Sequence, residues 1–431
     1  GDTTKVFVEL GYLRRANDSL QSGLIQRVNS SQTFIFKSKL LQTNKSDLSL
    51  YANYRILDFV DATRKKEPTL NSRVVYTDRF FNQLIQSTTV YETNSGTIPQ
   101  QEFTYLEVPV GQGVYTWNDY NDNGIQELQE FEVAPFVDQA KFIRVFLPNR
   151  IYIKTHQNKF SQSVTLNANQ WQNEKGVKKL LSYFYNQTAF IIDRKTRSDG
   201  ANFELNPFSG SNENVLGLNS SLRNSLFYNR GKQNHSITYS YLENKTKNLL
   251  SIGSQETTNS SHQLQYNHLH QKSWLFGFFA KTIKTAIESE NFPEKNYDIS
   301  GYQLAPKISY LFSKNTSWDL FYELQKKKNQ IGVSETLLQN RFGTAFSYAG
   351  DKKFILNGEV SFYQNKFEGN EFSSVGFQML EGLQTGQNLT WRLLLQKNIT
   401  QFLDINFNYQ GRKSETSQAI HTGNVQLRAY F

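Results

Sequence analysis

Apolar and polar positions alternate with a period of two along much of the chain, which puts successive side chains on opposite faces of a strand. Leu48, Leu50, Ala52, Tyr54 and Ile56 fall on one face, with Ser49, Tyr51, Asn53 and Arg55 on the other. Leu403, Ile405, Phe407 and Tyr409 alternate with Asp404, Asn406, Asn408 and Gln410. The last segment sets Val425, Leu427, Ala429 and Phe431 against Asn424, Gln426, Arg428 and Tyr430. A soluble sandwich, with one dry and one wet face, shows the same alternation. The order of the turns separates the two.

Compact turn signals recur in the second half at Arg230–Gln233, His270–Ser273, Ser313–Thr316, Ala349–Lys352 and Lys397–Thr400. Longer polar stretches lie between them, at Glu288–Tyr297, Lys366–Ser374 and Ser414–His421. Short turns at one end and long loops at the other are the arrangement of an outer-membrane barrel. Trp274 and Trp318 follow two of the short turns, and Tyr310 and Tyr348 precede two. Amphipathic rings at that height suit an interfacial girdle.

Tracing strands on this rule gives spans at 4–14, 33–43, 47–58, 71–82, 84–95, 161–172, 177–192, 213–230, 234–250, 259–270, 273–289, 300–313, 316–328, 337–349, 352–367, 386–397, 400–413 and 422–431. The predicted fold is an all-β, antiparallel transmembrane β-barrel of about 14–18 strands. Several spans exceed the roughly 9–11 residues that cross the hydrocarbon layer, so their excess projects on the long-loop side. Phe431 is expected at the periplasmic rim. The chain divides into N-terminal barrel strands at 1–95, an insertion at 96–160, and C-terminal barrel strands at 161–431.

Composition is compatible with this. Only 38% of the 431 residues are hydrophobic, and no apolar run is long enough for a transmembrane helix. A barrel tolerates that, because only alternate residues face lipid. Aromatics reach 14%, mostly Phe and Tyr, which favours strands. There are no cysteines, so disulfides and thiolate metal sites are excluded. The net charge of +9 is unevenly spread, with no Lys or Arg between Phe80 and Ala140. Lys326–Lys328 is a run of three, but no nucleic-acid motif accompanies it, and no nucleic-acid partner is expected. A basic balance also suits anionic lipid headgroups.

The insertion breaks the alternation and holds four of the eight prolines, Pro99, Pro109, Pro135 and Pro148. It is placed on the extracellular side. Within it, Asp119-Tyr120-Asn121-Asp122-Asn123-Gly124 followed by Glu130 matches the calcium loop of an EF-hand at every specified position. Oxygen side chains of Asp119, Asn121 and Asn123 face one cavity, Gly124 permits the bend, and Ile125 offers its backbone carbonyl. Glu127 ligates directly or through water, and Glu130 closes the shell with two oxygens. A structural calcium ion would pin an insertion that lacks a core of its own. The plainer reading is that Asn123-Gly124 is a tight turn.

Other constellations are weaker. His262, His268 and His270 share a strand face, but His262 lies about 20 Å from His268 at the standard strand rise. An interfacial or lumen-facing pair is the simpler reading of His268 and His270. Asp319 and Glu323, with Phe321 between them, are expected on the lumen face, as are Glu359 and Arg392. No Ser-His-Asp order, phosphate loop or HExxH is present. His421 with Glu415 and Ser417 is the nearest arrangement to a rim hydrolase, and no enzyme is expected. The stretch Gly411-Arg412-Lys413-Ser414-Glu415 reads as a solvated strand tip, or as a contact for lipopolysaccharide or a partner.

Two stretches carry a family resemblance. One runs from Val110-Gly111-Gln112-Gly113-Val114-Tyr115 through the Asp119–Gly124 loop to Gln139–Val145. The other comprises Gln378–Leu383, Asn388–Trp391, Gly411–Ser414, His421–Gly423 and the Phe431 end. Together they resemble the C-terminal part of large Bacteroidota outer-membrane proteins. The resemblance implies an outer-membrane location, a β-barrel, no enzyme, and further N-terminal domains ahead of Gly1.

The reading that emerges is a non-enzymatic scaffold or subunit of a cell-surface complex, in protein export, barrel assembly or uptake. Its expected partners are outer-membrane lipid, lipopolysaccharide and other proteins of that complex. A passive or anion-favouring channel is the first alternative. A rim hydrolase and a soluble extracellular β-protein are the others.

Overall fold

The computed structural model describes residues 6–198, 203–208, 214–232, 234–250, 253–350, 354–400 and 402–430. Phe431, with its expected place at the rim, lies outside them, as do parts of the 230–233 and 349–352 turns. The first strands are β1 (Phe7–Gln21), β2 (Leu24–Gln42), β3 (Ser46–Phe59), β4 (Glu67–Phe80) and β5 (Ile85–Glu107). Two three-residue strands follow, β6 (Tyr115–Trp117) and β7 (Phe131–Val133), then β8 (Phe142–Asn167), helix α1 (Val177–Leu181) and β9 (Phe184–Arg197). The series continues through β10 (Val215–Tyr228), β11 (Ser236–Leu250), β12 (Gly253–His270), β13 (Trp274–Ser289), β14 (Tyr297–Ser313), β15 (Thr316–Asn329), β16 (Thr336–Ala349) and β17 (Ile355–Glu368). Helix α2 (Ser374–Leu380) precedes β18 (Gly386–Thr400), β19 (Leu403–Ser414) and β20 (Ile420–Ala429).

Apart from β6 and β7, eighteen long strands form, one for each span read from the alternation. The fold is an antiparallel transmembrane β-barrel. Strand ends differ from the sequence reading: β1 runs on to Gln21, β2 begins at Leu24, and Val177–Leu181, read as strand, is helix α1 ahead of β9. β5 continues to Glu107 through Pro99, and β8 begins at Phe142 and carries Pro148. Of residues 96–160, only the stretch between 108 and 141 lies outside the long strands. Lys397–Thr400 belongs to β18, so the turn follows it.

Two compact units divide the chain. One comprises Gly1–Glu102, Pro148–Leu226 and Leu242–Thr257, and the other Phe103–Leu147, Phe227–Tyr241 and Thr258–Phe431. In the first unit, β1 to β5 form consecutive antiparallel pairs, and β8 pairs with β9. Residues 203–208 fold onto the buried face of β8 and β9. Glu204 meets the buried Arg194 at 3.1 Å, and Phe203 packs on His156. His156 is itself buried, its Nε2 within 2.8 Å of the Thr93 hydroxyl.

The second unit is inside-out relative to a soluble domain. One face of its β13–β20 ladder carries large exposed apolar side chains. Tyr322 stands opposite Phe342, Phe342 opposite Phe362, and Phe362 opposite Leu389. Leu320, Val360, Phe342 and Ile308 are all exposed on it. In water such a continuous surface is unfavourable, and in a hydrocarbon layer it is the wetted face. Where the short turns lie, Trp274, Tyr310, Trp318 and Phe346 are successive cross-strand neighbours, which builds the aromatic girdle. Towards the long-loop end the same face turns charged at Lys326, Lys328, Lys366 and Glu368.

The opposite face is polar and more deeply buried. Ser309, Gln325, Lys327, Asn329, Gln339, Ser361, Asn365, Asn388 and Ser414 are all buried there. Asp319, Phe321 and Glu323 share it on β15, as the alternation requires. Gly343 stands opposite Phe321, and a Cβ there would lie 2.2 Å from the Phe321 ring, so the ring lies across the glycine. Trp391 covers Gly411 in the same way on the outer face.

Candidate functional site

The inner face of the second unit is a ladder of alternating charges. Lys307 Nζ bonds Asp319 at 2.9 Å. Arg341 reaches Glu323 at 3.4 Å and Glu359 at 2.7 Å, and Arg392 reaches the other Glu359 oxygen at 2.6 Å. Glu323 is the register partner of Arg341, and Glu359 that of Arg392. Strand pairing therefore sets these contacts. Glu359 accepts charge-assisted hydrogen bonds from two guanidinium groups, which ties three strands together at one carboxylate.

Two loop segments sit on this wall at its long-loop end. The first is the β17–β18 connection. Ser373 caps α2 by accepting from the Gly376 N–H at 3.0 Å. The helix then presents Val375, Met379 and Leu380 to Tyr297, Ile299 and Leu337, and Met379 and Leu337 are fully buried. Lys327 donates to Glu381 at 2.6 Å and to the Met379 carbonyl at 3.3 Å. The Lys326–Lys328 run is therefore split by the strand period, with only its middle residue turned inward.

The second segment is the insertion. It has a core of its own, contrary to the sequence reading. Phe103, Phe131, Ala140 and Phe142 are buried, and Tyr105 stacks on Phe131 with ring centroids 4.0 Å apart. A Cβ on Gly113 would meet the Phe142 nitrogen at 2.5 Å, so only glycine lets the two backbones close there. Sequence inspection missed this core because its members are spread over short, irregular segments rather than one periodic element.

Three contacts fix the insertion to the wall. Arg412 donates to Asp138 Oδ2 at 2.7 Å, and its guanidinium lies 4.5 Å from the centre of the Phe136 ring. Lys295 bonds Glu132 at 3.0 Å. Pro135 and Phe136 pack over Gly382, where a Cβ would be 2.5 Å from the Pro135 ring. The cation-free stretch thus takes its counter-charges from the wall. Arg412 also donates to the Gly382 carbonyl at 3.4 Å. Between insertion and wall lies a cavity of about 510 Å³, bounded by Phe136, Asp138, Arg341, Glu359, Tyr363 and Arg392.

Arg412 and Ser414 correct the solvated-tip reading of 411–415. Arg412 is largely covered, and Ser414 is buried with its hydroxyl 2.6 Å from Asn388 Oδ1. Strand alternation turns them inward and leaves Lys413, opposite Leu389, on the outer face.

The loop from Asp119 to Glu130 is drawn together by its own hydrogen bonds. Asp119 accepts from the Gly124 N–H at 2.7 Å and the Asn123 N–H at 3.1 Å. Asn123 Oδ1 accepts from the Ile125 N–H at 2.6 Å, and Asn121 Nδ2 donates to Glu127 at 2.7 Å. Glu130 is 1% exposed and makes no ion pair among the described residues. Its carboxylate accepts from Trp117 Nε1 at 2.7 Å and from the N–H groups of Tyr120 and Glu127, each at 3.3 Å. A buried carboxylate without a cation is costly, so the donor set fits a hard cation in charge and ligand type. The fit is incomplete in geometry. No group of three His, Cys, Asp or Glu side chains converges for a metal among the described residues. Bidentate use of Glu130 requires the Trp117 bond to give way. Burial and the neighbouring Glu132 push the Tyr120 phenol well above the usual tyrosine range.

The histidines have partners on neighbouring strands as well as one another. His268 stacks on His235 with centroids 4.3 Å apart, and its Nδ1 lies 2.6 Å from the Asn234 carbonyl. His270 is 6.2 Å from His268. His262 bonds the Tyr239 hydroxyl at 2.8 Å. His421 Nδ1 meets the Tyr409 hydroxyl at 2.8 Å, whereas Glu415 accepts from the Gln387 N–H and Ser417 from the Ser414 N–H. Each member of this nearest candidate for a rim hydrolase is thus engaged elsewhere.

No family model and no curated protein matches the chain. Among solved structures, similarity extends to the FrpB iron transporter from Neisseria meningitidis (F5-1 variant), at 9% identity and a TM-score of 0.41. The chain is covered to 96% and spans 63% of the FrpB chain. The siderophore receptor PirA from Acinetobacter baumannii matches at 8% identity and a TM-score of 0.34, over 99% of this chain and 71% of that one. The usher PapC translocation pore matches at 6% identity and a TM-score of 0.17, covering 98% and 99% of the two chains. The fold assignment rests on the strand ladders themselves.

Proposed function

We propose that this membrane β-barrel is a non-enzymatic scaffold or subunit of an outer-membrane, cell-surface complex, serving protein export, barrel assembly or uptake. The observation that carries the reading is the fixed seat of the insertion and α2 on the inner wall. A passive channel does not require a folded element with an aromatic core, held by Arg412, Lys295 and Gly382. A scaffold gains a shaped, rigid surface at the long-loop end. On this reading the long-loop end, with residues 96–160, faces the cell exterior, and the short-turn end faces the periplasm. Calcium in the Asp119–Glu130 loop, held by Asp119, Asn121, Asn123, the Ile125 carbonyl, Glu127 and Glu130, is part of the proposal. The burial of Glu130 with no ion pair among the described residues supports it.

The test has two arms. Purification from outer membranes in mild detergent yields a co-eluting complex, and the isolated protein is silent in planar bilayers. A lone monomer that passes steady current would replace the scaffold with the channel.

A further inference from the structure

A second cationic run, Arg64-Lys65-Lys66, lies in the β3–β4 connection. Its residues line a cavity of about 630 Å³ in the first unit, between the start of β4 and the middle of β5 and β8. Lys154, from β8, is the fourth cation on the rim, and Glu67 is the one carboxylate among the described lining residues. Thr69, Ser95, Thr97, Thr155 and Ser198 complete the wall, with the Ser95 hydroxyl already bonded to the Leu70 backbone. The site is assembled across strands and a loop, so the approach of Lys154 to the run at 64–66 has no trace in any one segment.

The cations are held in place rather than merely crowded. Glu67 Oε1 lies 2.6 Å from Lys154 Nζ and 3.8 Å from Arg64. The Arg64 guanidinium sits 3.6 Å from the centre of the Phe59 ring. Lys66 bonds Asp58 at 2.9 Å. Asp61 takes the Thr63 N–H at 3.0 Å and the Thr63 hydroxyl at 2.7 Å, which fixes the turn ahead of them. Lys65 makes no ion pair among the described residues. With Glu67, Asp58 and Asp61 counted against Arg64, Lys65, Lys66 and Lys154, the described surroundings keep an excess of one positive charge. The side chains of Arg64, Lys66 and Lys154 remain more than half exposed, open to an incoming group.

We infer that this cavity binds a ligand bearing adjacent phosphate groups. The chemistry favours phosphate over a simple carboxylate. A planar guanidinium can grip two phosphate oxygens, the lysines add point charges, and the hydroxyls donate to the oxygens that remain. Two sources share that chemistry, the phosphorylated headgroup of an outer-membrane glycolipid and a free polyphosphorylated solute. The cavity lies within the range of roughly 300–1,000 Å³ typical of small-molecule sites.

The experiment uses the full chain in detergent micelles and three probes, with heat-modifiable gel mobility as the check on folding. Inorganic pyrophosphate represents the free source, diphosphoryl lipid A the lipid source, and citrate is the carboxylate control. Lys65→Gln removes the unpaired cation without breaking an ion pair. It should weaken phosphate binding by roughly tenfold or more, the effect of one lost charge-assisted hydrogen bond. Saturable pyrophosphate binding that Lys65→Gln weakens supports a free ligand. Binding of lipid A alone, abolished by dephosphorylation and weakened by Lys65→Gln, supports the headgroup. Citrate binding as tightly as pyrophosphate overturns the phosphate assignment. Absence of binding by both phosphate probes, or binding untouched by Lys65→Gln in a folded protein, overturns the site.

Discussion

Arg412 and Asp138 are 274 positions apart in the chain and 2.7 Å apart in space. The pair joins a wall strand to the insertion, and its partial burial gives it more weight than an exposed bridge. Arg412→Ala removes this bond and the stacking on Phe136 together. The expected cost to docking of the insertion is about 3 kcal/mol, the lower end for stripping one partner from a buried pair. Hydrogen exchange across residues 131–139 should accelerate by about a hundredfold on that figure, while exchange in β13–β17 stays unchanged. Equal protection in the variant would remove Arg412 from the docking account.

Met379 is fully buried under the wall residues Tyr297 and Leu337. Met379→Ala should cost about 2–5 kcal/mol, the range for emptying a well-packed site. The loss belongs to the α2 segment, so limited proteolysis should cut at 369–385 before the strands unfold. A variant cleaved first elsewhere would show that α2 is not a separately melting piece.

Much of this wall was legible in the sequence, and the loops on it were not. Asp319, Glu323, Glu359 and Arg392 were placed inward by alternation alone, because the strand period is two and register does the rest. Their bonding followed, since partners in register have few other choices. Arg412 was misjudged by the same logic applied to composition. Glycine, lysine and serine around it suggest a solvated tip, and only the returning insertion covers it. Loop-to-wall contacts join residues far apart in sequence and have no period to betray them. His235 beside His268 escaped notice for that reason. The Asp119–Glu130 motif was visible, but its use of Trp117 as a donor to Glu130 was not.

The Trp117 bond makes calcium binding observable. If the ion takes both Glu130 oxygens, the indole loses its acceptor and its emission changes on titration. Emission should shift saturably with calcium in the native chain, and Asp119→Ala should abolish the shift. Invariant emission, with no calcium-dependent protection of residues 119–130, would leave the loop as a hydrogen-bonded turn.

Tyr120 supplies an alkaline signature. Its folded pKa lies above its unfolded value, so the neutral phenol is the form the fold prefers. The stabilisation is fully present below the unfolded value of about 10 and fades as pH climbs through the folded one. Insertion docking should therefore loosen only in strong alkali, and Tyr120→Phe should blunt that loosening. Carbon-13 labelled tyrosine would report it directly. A Tyr120 resonance that titrates with the exposed tyrosines would refute the burial argument.

The ring of Phe321 across Gly343, and that of Trp391 across Gly411, tie two positions on adjacent strands to one shared volume. Neither position can vary alone. A descendant that acquires a side chain at 343 must surrender the ring at 321, and the same bargain holds for 411 and 391. Among relatives of this chain, those two pairs of columns should change in concert, one pair marking the polar face and the other the lipid face. Strand register would then be readable from inheritance without a structure.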